Sequence, residues 1–399
     1  MILTIILWIL GLLSLGVGIL SIISWVRIRI IYRDLAFNFY SPKVGVIVPC
    51  KGKDRRFRGN IKAMCSQDYE NYRVIFVVDS KRDPAYKILE KITREYRNTN
   101  LVISKTRKEC SGKISALLRG VEEIRDVDIY IFADSDIRPH KKWIRYLVAP
   151  LQDKTIGATT GYRWYFPHNL WTLVLSSWNA CTAATLFLGK LNFAWGGSTA
   201  IRREVFEELG IEEKWKRSLS DDLVLTAALR EKGYTIRFVP QCVVECFEDK
   251  NFSELVKWGT RQNVWTKWYY PSLWRISFVG AVTFKTLNLL GLALMITGNL
   301  LIGLLLFSPV ILDFFKGWQQ LITFKEFMLY PKNKFGSTIA YMSISTLTPF
   351  LIAYNLLLSF FRREIEWRGR RYRFKDLEIQ TIPFKSRTPK KEVSKTIHS

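Results

Sequence analysis

The apolar residues of this chain are concentrated at its two ends, and this constrains the fold more than any other feature of the sequence. Residues 1–26 carry no charge and are followed by Arg27, Arg29 and Arg33. A helix of that length can cross a hydrocarbon core of about 30 Å. The stretch lacks the basic start and small-residue cleavage site of a signal peptide, so we expect an uncleaved anchor. The arginines after it predict that the following domain is cytoplasmic.

Two more uncharged stretches near the other end, residues 286–312 and 335–361, predict two further membrane spans. The loop between them carries Trp318 and Tyr330, which suit a membrane interface. It also carries four lysines, Lys316, Lys325, Lys332 and Lys334. Because lysines are unusual on the outer side of a membrane, an interfacial helix in this loop is the alternative.

A fourth apolar stretch, residues 169–189, lies between two sets of acidic residues. A membrane crossing there would place these acids on opposite sides, so we predict a buried or interfacial helix instead. Either a lipid approaches this helix or it packs into the core, and the sequence leaves both readings open.

These segments divide the chain into four predicted parts. They are an N-terminal transmembrane anchor (1–33), a cytoplasmic α/β domain (34–270), a C-terminal transmembrane region of two spans with interfacial segments (271–361) and a basic cytoplasmic tail (362–399). Three spans place the domain and the tail on the same side of the membrane. The tail begins with a basic aromatic run that we expect to meet anionic lipid.

Charge and residue usage narrow the classes of function. The formal net charge of +25 predicts an anionic partner, and the apolar ends favour lipid and phosphate over nucleic acid. Only 3 histidines are present, and no two are close, which argues against a His-rich zinc site or a Ser-His-Asp triad. All 6 cysteines are predicted to be reduced, buried thiols of a cytosolic domain.

The middle of the chain alternates apolar runs with polar helical stretches. The predicted strands are residues 44–49, 73–78, 101–104 and 128–133, and the predicted helices are residues 57–67, 84–97 and 113–124. Continuous apolar runs are typical of strands buried on both faces. The alternation therefore predicts an α/β fold, a Rossmann-like and mainly parallel sheet with helices on both faces.

Polar side chains follow these strands where ligands bind in such sheets. Pro49 and Lys51 end the first strand, Asp79 ends the second, and Asp134 with Asp136 ends the fourth. Paired carboxylates can hold a hard cation that bridges diphosphate oxygens, although a turn or helix cap is the structural alternative. Asp79 can accept hydrogen bonds from a base or ribose, or cap the next turn.

Other candidates lie outside the strands. Lys113 follows Ser111-Gly112 at a predicted helix start, where exposed N–H groups suit phosphate, and a solvated surface charge is the alternative. Asp221 and Asp222 open another helix, either as a general base or as capping acids. Small residues let a backbone approach a ligand closely, and Gly196-Gly197 forms such a loop. Arg261 and Trp265 precede the second membrane region, where Arg261 pairs with a leaving diphosphate or the helix rests on anionic lipid.

Taken in order, these elements resemble family 2 glycosyltransferases and the closely related ceramide glucosyltransferase group. The resemblance covers about residues 41–268 and extends weakly to the W-R-G-R-R-Y segment at 367–372. It implies a GT-A fold, a nucleotide-diphosphate-sugar donor and a divalent metal, Mg²⁺ or Mn²⁺. It assigns Asp79 to the nucleotide, Lys113 to the diphosphate, and Asp134 with Asp136 to the metal and nucleotide.

The same resemblance implies roles after the sheet. Asp222 matches the second acid of the family's acid-Asp pair, the expected catalytic base, and Asp221 is its neighbour. Arg261 and Trp265 match the ends of the family's [QR]-x-x-R-W motif, but Val264 stands where the family has arginine. Lys267 or Arg261 is then the expected substitute for the missing charge.

The sequence thus predicts a membrane-bound, metal-dependent inverting glycosyltransferase. Its donor is a UDP- or GDP-sugar, with UDP favoured, and its acceptor is a lipid hydroxyl. A polyprenyl-phosphate acceptor is the nearest alternative, because an ionised phosphate needs no base. A processive polysaccharide synthase would need a pore, for which three spans look too few. A non-enzymatic basic membrane scaffold would make the carboxylates dispensable.

Overall fold

The computed structural model describes residues 2–32, 40–105, 107, 109–184, 192–329, 331, 334–375 and 378–382. Its central sheet contains β1 (Val44–Cys50), β2 (Tyr72–Val78), β3 (Thr99–Ile103), β4 (Ile129–Ala133), β5 (Ile137–Arg138), β6 (Ile156–Tyr165), β7 (Ser198–Arg202) and β8 (Thr235–Cys246). In space the strands follow the order β3-β2-β1-β4-β7-β6-β8-β5. β1 is parallel to β2 and β4, β2 to β3, and β6 to β8, whereas β7 and β5 are antiparallel to their neighbours.

The prediction of a mainly parallel α/β sheet is confirmed. All four predicted strands form, and their ends differ from the predictions by at most two residues. They lie side by side because their continuous apolar runs are buried on both faces. Along β1, Val46 and Val48 face one core cluster whereas Ile47 faces the other, so the sheet separates two hydrophobic layers.

Short helices cover both faces of the sheet. They are α2 (Phe57–Cys65), α3 (Tyr86–Glu95), α4 (Gly112–Glu123), α5 (Trp143–Val148), α6 (Leu170–Ala183), α7 (Arg203–Glu208), α8 (Ile211–Lys216) and α9 (Asp221–Glu231). The three predicted helices correspond to α2, α3 and α4. Ser111 caps α4 by accepting a hydrogen bond from Ile114 N at 3.2 Å. The 6 cysteines are all free thiols, as predicted, and Cys181 alone is half-buried rather than buried.

The apolar stretch at 169–189 folds as α6, and its last residues, 185–189, lie outside the described part. With 14 residues, α6 is too short to cross a membrane. Its residues Ser176, Ser177 and Trp178 are buried against the rest of the protein. The prediction of a buried or interfacial helix therefore agrees with the described residues.

Four described helices are long and apolar enough to cross a membrane: α1 (Ile2–Tyr32), α11 (Pro271–Ile296), α12 (Leu300–Phe327) and α13 (Thr338–Phe361). α11 continues from α10 (Phe252–Tyr269). The single span expected over residues 286–312 is wrong. The chain turns between Ile296 and Leu300, where Gly298 takes a φ of 91° that favours glycine.

α12 returns toward the α/β domain alongside α1. Gly11 of α1 lies against Leu305 and Gly18 against Leu312, so both helices advance in the same direction. At their ends, Tyr32 packs on Phe327 at 6.2 Å between ring centroids. The predicted outer loop is therefore largely the second half of α12. Lys325 of that half lies 5.7 Å from the Phe335 ring, on the side of the α/β domain.

α13 lies along the α/β domain rather than leading away from it. Just before α13 begins, Phe335 packs on Trp164 of β6 at 5.4 Å. Near its end, Asn355 accepts a hydrogen bond from Trp178 Nε1 at 3.1 Å and donates one to Val256 O at 3.1 Å. Both ends of α13 therefore lie at the α/β domain. α11 and α12 also pack along it, with Lys285 Nζ of α11 4.9 Å from the Phe350 ring.

After α13 the chain forms a small antiparallel sheet of β9 (Glu364–Trp367), β10 (Arg370–Lys375) and β11 (Glu378–Ile382). This sheet starts the segment that the sequence predicts as a basic tail on membrane lipid. In the structure β9 and β10 lie against α10 and the N-terminus of α4 instead. Residues 383–399 of the predicted tail lie outside the described part.

This arrangement predicts the relative sidedness of two loops. Asn299 lies in the turn between α11 and α12, and Ser337 caps α13. In sealed vesicles, a membrane-impermeant maleimide should label Asn299→Cys and Ser337→Cys from opposite sides. The wild-type chain, with its largely buried cysteines, measures background labelling. Labelling of both variants from one side would contradict the assignment of α12 as a membrane-spanning helix.

Candidate active site

A cavity of about 860 Å³ lies at the carboxyl ends of β1, β2 and β4. It is also bordered by α10, the β9–β10 hairpin and the first turns of α4 and α9. The predicted site residues that line it are Pro49, Lys51, Asp79, Lys113, Asp134, Asp136, Asp221, Asp222, Arg261 and Trp265. Residues separated by more than 200 positions in the sequence thus share one cavity.

Lys113 is at the centre of the charged part of the cavity. Its ammonium lies 2.9 Å from Asp134 Oδ1 and 2.9 Å from Asp221 Oδ2. It also donates a hydrogen bond to Gly196 O at 3.1 Å. Burial lowers the pKa of Lys113, but the carboxylates of Asp134, Asp221 and Asp222 more than offset this and raise it overall. Lys113 is therefore a buried, ion-paired ammonium group rather than a solvated surface charge.

Gly196 and Gly197 stand directly behind this ion-pair cluster. A side chain at Gly196 would overlap the Asp221 carboxylate, and Gly197 O accepts a hydrogen bond from Asp134 N at 3.2 Å. The sequence predicts that this small-residue loop approaches a ligand. In the structure the loop makes room for the protein's own carboxylates.

The two carboxylates at the start of α9 have different surroundings. Ser220 caps the helix by accepting from Leu223 N at 3.3 Å, and Asp222 Oδ1 accepts from the same N–H at 2.8 Å. The capping alternative is therefore present in the fold. Asp221 is buried against Lys113, whereas Asp222 is half-buried and lines the cavity. Within the described part of the chain, Asp222 Oδ2 has no hydrogen-bond partner.

Asp79 is engaged by cations from two directions. Its Oδ2 lies 2.8 Å from Lys51 Nζ and 2.8 Å from Arg370 Nη2. The side chain of Asp79 is 20% exposed, and it borders the cavity at the end of β2. A carboxylate so placed can exchange a protein cation for the hydroxyl or N–H donors of a nucleoside.

Asp136 forms part of a site that fits a divalent cation. One oxygen each from Asp136 and Glu248 and the Cys246 sulfur lie within 4.8 Å of one another. Asp136 Oδ1 is buried, with no hydrogen-bond partner in the described residues. Burial raises the pKa of Cys246 far above its usual value, so its thiol stays protonated. Because hard cations prefer carboxylates, Asp136 and Glu248 are the candidate ligands.

α10 carries Arg261 and Trp265 to the cavity, but Lys267 turns away. Burial lowers the pKa of Arg261 to about 10. Lys267 Nζ donates to Ser359 O at 3.0 Å and Phe360 O at 2.6 Å, at the end of α13. The expectation that Lys267 substitutes for the arginine missing at Val264 is therefore wrong, because the C-terminal carbonyls of α13 hold this cation.

The other end of the cavity is apolar and reaches the membrane helices. Trp178 and Cys181 of α6 form one wall. Leu273 and Ser277 of α11 and Leu356 of α13 line the cavity as well. One continuous space therefore joins the acidic cluster to helices that are long and apolar enough to lie in a bilayer.

Comparison with known proteins decides the family. The family model for glycosyl transferase family 21 matches residues 6–379, which is most of the chain. This chain belongs to glycosyl transferase family 21. The family 21 protein is also 28% identical over 240 residues to the probable glycosyltransferase YdaM of Bacillus subtilis (strain 168). That match covers 57% of this chain and 53% of YdaM, so it spans about half of the relative's length.

A solved structure shows the same fold. The mannosyltransferase PcManGT of Pyrobaculum calidifontis, solved in complex with GDP-Man and Mn²⁺, superposes with a TM-score of 0.53. The match covers 86% of this chain and 99% of PcManGT at 16% sequence identity. The predicted GT-A fold is thereby confirmed for this family 21 protein.

Several cavity residues were not predicted from the sequence. Glu248 follows β8, which lies beyond the predicted strands, the last of which ends at residue 133. No sequence pattern therefore indicated a role for Glu248. Arg163 is half-buried and lies against aromatic rings, including Tyr165 at 4.9 Å. Arg368 and Arg370 belong to the W-R-G-R-R-Y segment. The alternation of aromatic and basic residues in this segment predicts a membrane contact rather than a place in the cavity.

The carboxylate pair at Asp136 predicts a pH-dependent metal affinity. Burial, with Asp134 and Glu248 nearby, raises the pKa of Asp136 to about 7. Below this pH a cation must displace the proton, so Mn²⁺ affinity should rise roughly tenfold per pH unit up to about pH 7 and then level off. Calorimetric titration between pH 5.5 and 8.5 measures this. Cys246→Ser should behave like wild type, and affinity independent of pH would contradict the assignment of Asp136.

Proposed function

We propose that this family 21 protein transfers a sugar from a nucleotide-diphosphate sugar to a hydroxyl group of a membrane lipid, with inversion at the anomeric carbon. The observation that carries the proposal is the single cavity described above. Its charged residues suit a nucleotide diphosphate, its apolar residues include members of the long apolar helices α11 and α13, and Asp222 lines the same space. A soluble acceptor would have no need of the apolar end.

The charged end supports a nucleotide-sugar donor. Asp79 borders the part of the cavity suited to base and ribose, and Lys51 and Lys113 supply positive charge nearby. A UDP-sugar is the favoured donor from the family resemblance, and a GDP-sugar, as in PcManGT, is the second candidate. A divalent metal, Mg²⁺ or Mn²⁺, held by Asp136 and Glu248 would supply further positive charge to the diphosphate.

In the proposed mechanism Asp222 acts as general base. Its carboxylate takes the proton of the acceptor hydroxyl while the hydroxyl oxygen forms a bond to the anomeric carbon. The bond from that carbon to the diphosphate oxygen breaks on the opposite face, and the electron pair leaves with the diphosphate. Lys113 faces the charge that develops there, in a site already arranged before reaction. Asp221 keeps Lys113 in place.

The arrangement of helices supports a cytoplasmic active site. In this proposal α1, α11 and α12 cross the membrane and α13 lies at its surface. Arg27 and Arg29 end α1 beside the α/β domain, and Lys325 ends α12 on the same side. Because basic residues accumulate on the cytoplasmic side, the cavity faces the cytoplasm. Anionic headgroups would meet these cations at that surface.

The rival acceptors differ from the proposal in what they require. A polyprenyl phosphate would use the same cavity but is already ionised, so transfer would survive the loss of the base. A processive polysaccharide synthase would return a polymer and would need a path for it across the membrane. Each rival enzyme would form a product different from the proposed glycolipid, and chromatography can separate these products.

Asp222→Asn is the variant that tests the mechanism. Removing the base should lower transfer to lipid by about 10²- to 10⁴-fold and leave donor binding within a few-fold of wild type. Purified protein in detergent would receive radiolabelled UDP- and GDP-sugars, membrane lipid extract and Mn²⁺, followed by solvent extraction. Glu231→Gln, at the exposed end of α9, is the matched control and should retain wild-type transfer.

The outcomes separate the hypotheses. Near-normal transfer by Asp222→Asn would contradict its role as base and favour a phosphate acceptor. A high-molecular-weight product from the wild-type chain would favour the synthase. Folded wild-type protein that neither binds nor turns over any donor would contradict a nucleotide-sugar transferase altogether.

A further inference from the structure

Two arginines of the C-terminal hairpin enter the cavity from the side opposite the sheet. Arg370 Nη2 lies 2.8 Å from Asp79 Oδ2. Arg368 forms a two-pronged pair with Asp54, at 2.8 and 3.0 Å, and its Nη1 lies 3.4 Å from Lys51 O. The two guanidinium groups therefore flank Lys51 at the end of β1. Both arginines line the cavity.

The hairpin is anchored beside the cavity by a small apolar cluster. Ile365 and Tyr372 are buried in this cluster with Leu219 and Val264. Val264 occupies the position of the arginine in the [QR]-x-x-R-W motif. Here its side chain is fully buried under the hairpin. Val264 thus leaves α10 without a charge at this position. It instead gives the hairpin that carries Arg368 and Arg370 an apolar surface to pack on.

Aromatic contacts join the hairpin to the rest of α10. Trp367 packs edge-on against Trp265, with 5.3 Å between ring centroids. The same ring lies 5.9 Å from the Arg261 guanidinium, a distance suited to a cation–π contact. Arg261 and the hairpin arginines therefore belong to one connected cationic face.

The first turn of α4 leaves space for the hairpin because it begins with a glycine. Arg370 lies over Gly112, where a Cβ would overlap Nη1 of the guanidinium. Gly112 N donates a hydrogen bond to Tyr372 Oη at 3.3 Å. Gly112 thus lets Arg370 pass between the helix N-terminus and Asp79. Lys113 follows directly, so the arginine and lysine charges face the same part of the cavity.

We propose that Arg368 and Arg370 bind the diphosphate of the donor and carry the charge that Val264 does not. The proposal rests on the proposed function, because it presumes a nucleotide-diphosphate donor. Guanidinium groups suit it chemically, since their planar N–H donors match phosphate oxygens in pairs. In the structure the aspartates Asp54 and Asp79 hold these groups in position beside the place where phosphate would lie.

The competing reading is that the arginines only fasten the hairpin or block the site. An arginine that blocks Asp79 would weaken nucleotide binding, so removing it would tighten binding. An arginine that only fastens the hairpin would affect all nucleotides equally. A diphosphate contact instead penalises the loss of Arg370 most for ligands that carry two phosphates.

The test measures binding of UDP and GDP, and of UMP and GMP, with Mn²⁺ by calorimetry on the detergent-purified full chain. The variants are Arg368→Ala, Arg370→Ala and Arg370→Lys. Arg371→Ala is the matched control, because Arg371 is exposed and alternates to the other face of β10. Thermal unfolding of each variant reports whether the fold is retained.

Arg370→Ala and Arg368→Ala should each weaken diphosphate binding by about 10- to 100-fold and change monophosphate binding by less than about threefold. Arg370→Lys should recover part of the loss, and Arg371→Ala should match wild type. Equal losses for mono- and diphosphates, unchanged binding or tighter binding would each overturn the proposal. Wild-type protein that binds no nucleotide would instead contradict the proposed function.

Discussion

The buried ion-pair cluster around Lys113 is the interaction on which the rest of the site depends. A buried ammonium is costly unless carboxylates compensate it, and here Asp134 and Asp221 do so at 2.9 Å each. These carboxylates come from β4 and α9, and the lysine comes from α4. The cluster therefore ties the end of the parallel half of the sheet to the start of α9. It sets the position of Asp222, the next residue along α9 after the buried member of the pair.

A second layer builds on this cluster from the C-terminal third of the chain. The hairpin of α11 and α12 brings the chain back to the α/β domain, and α13 then lies along α6 and α10. Asn355 makes three polar contacts in that interface, to Trp178, Val256 and Thr260, so the placement of α13 is specific rather than merely apolar. Only with α13 in this place does the segment after it reach the cavity with Arg368 and Arg370.

The sequence predicted the parts of this protein that depend on local pattern. Continuous apolar runs ending in Asp79 and Asp134 located both the parallel sheet and its ligand-binding edge. It did not predict what depends on contacts distant in sequence. Glu248 meets Asp136 only because the end of β8 pairs with β5, which begins directly after Asp136. Arg370 meets Asp79 across 291 positions. The predicted bounds of the membrane helices were wrong for a different reason. The apolar sequence continues through Gly298, and only the backbone turn there separates α11 from α12.

The central claim is that a lipid reaches the base through the apolar end of the cavity. Ser277 lines that opening on α11, whereas its neighbour Ile276 is 72% exposed and does not. The measurement is sugar transfer into solvent-extractable lipid by Ser277→Trp and Ile276→Trp, with nucleotide binding as a parallel readout. We expect Ser277→Trp to lose at least about tenfold in transfer with unchanged nucleotide binding, and Ile276→Trp to remain near wild type. Wild-type transfer by Ser277→Trp would contradict the claim.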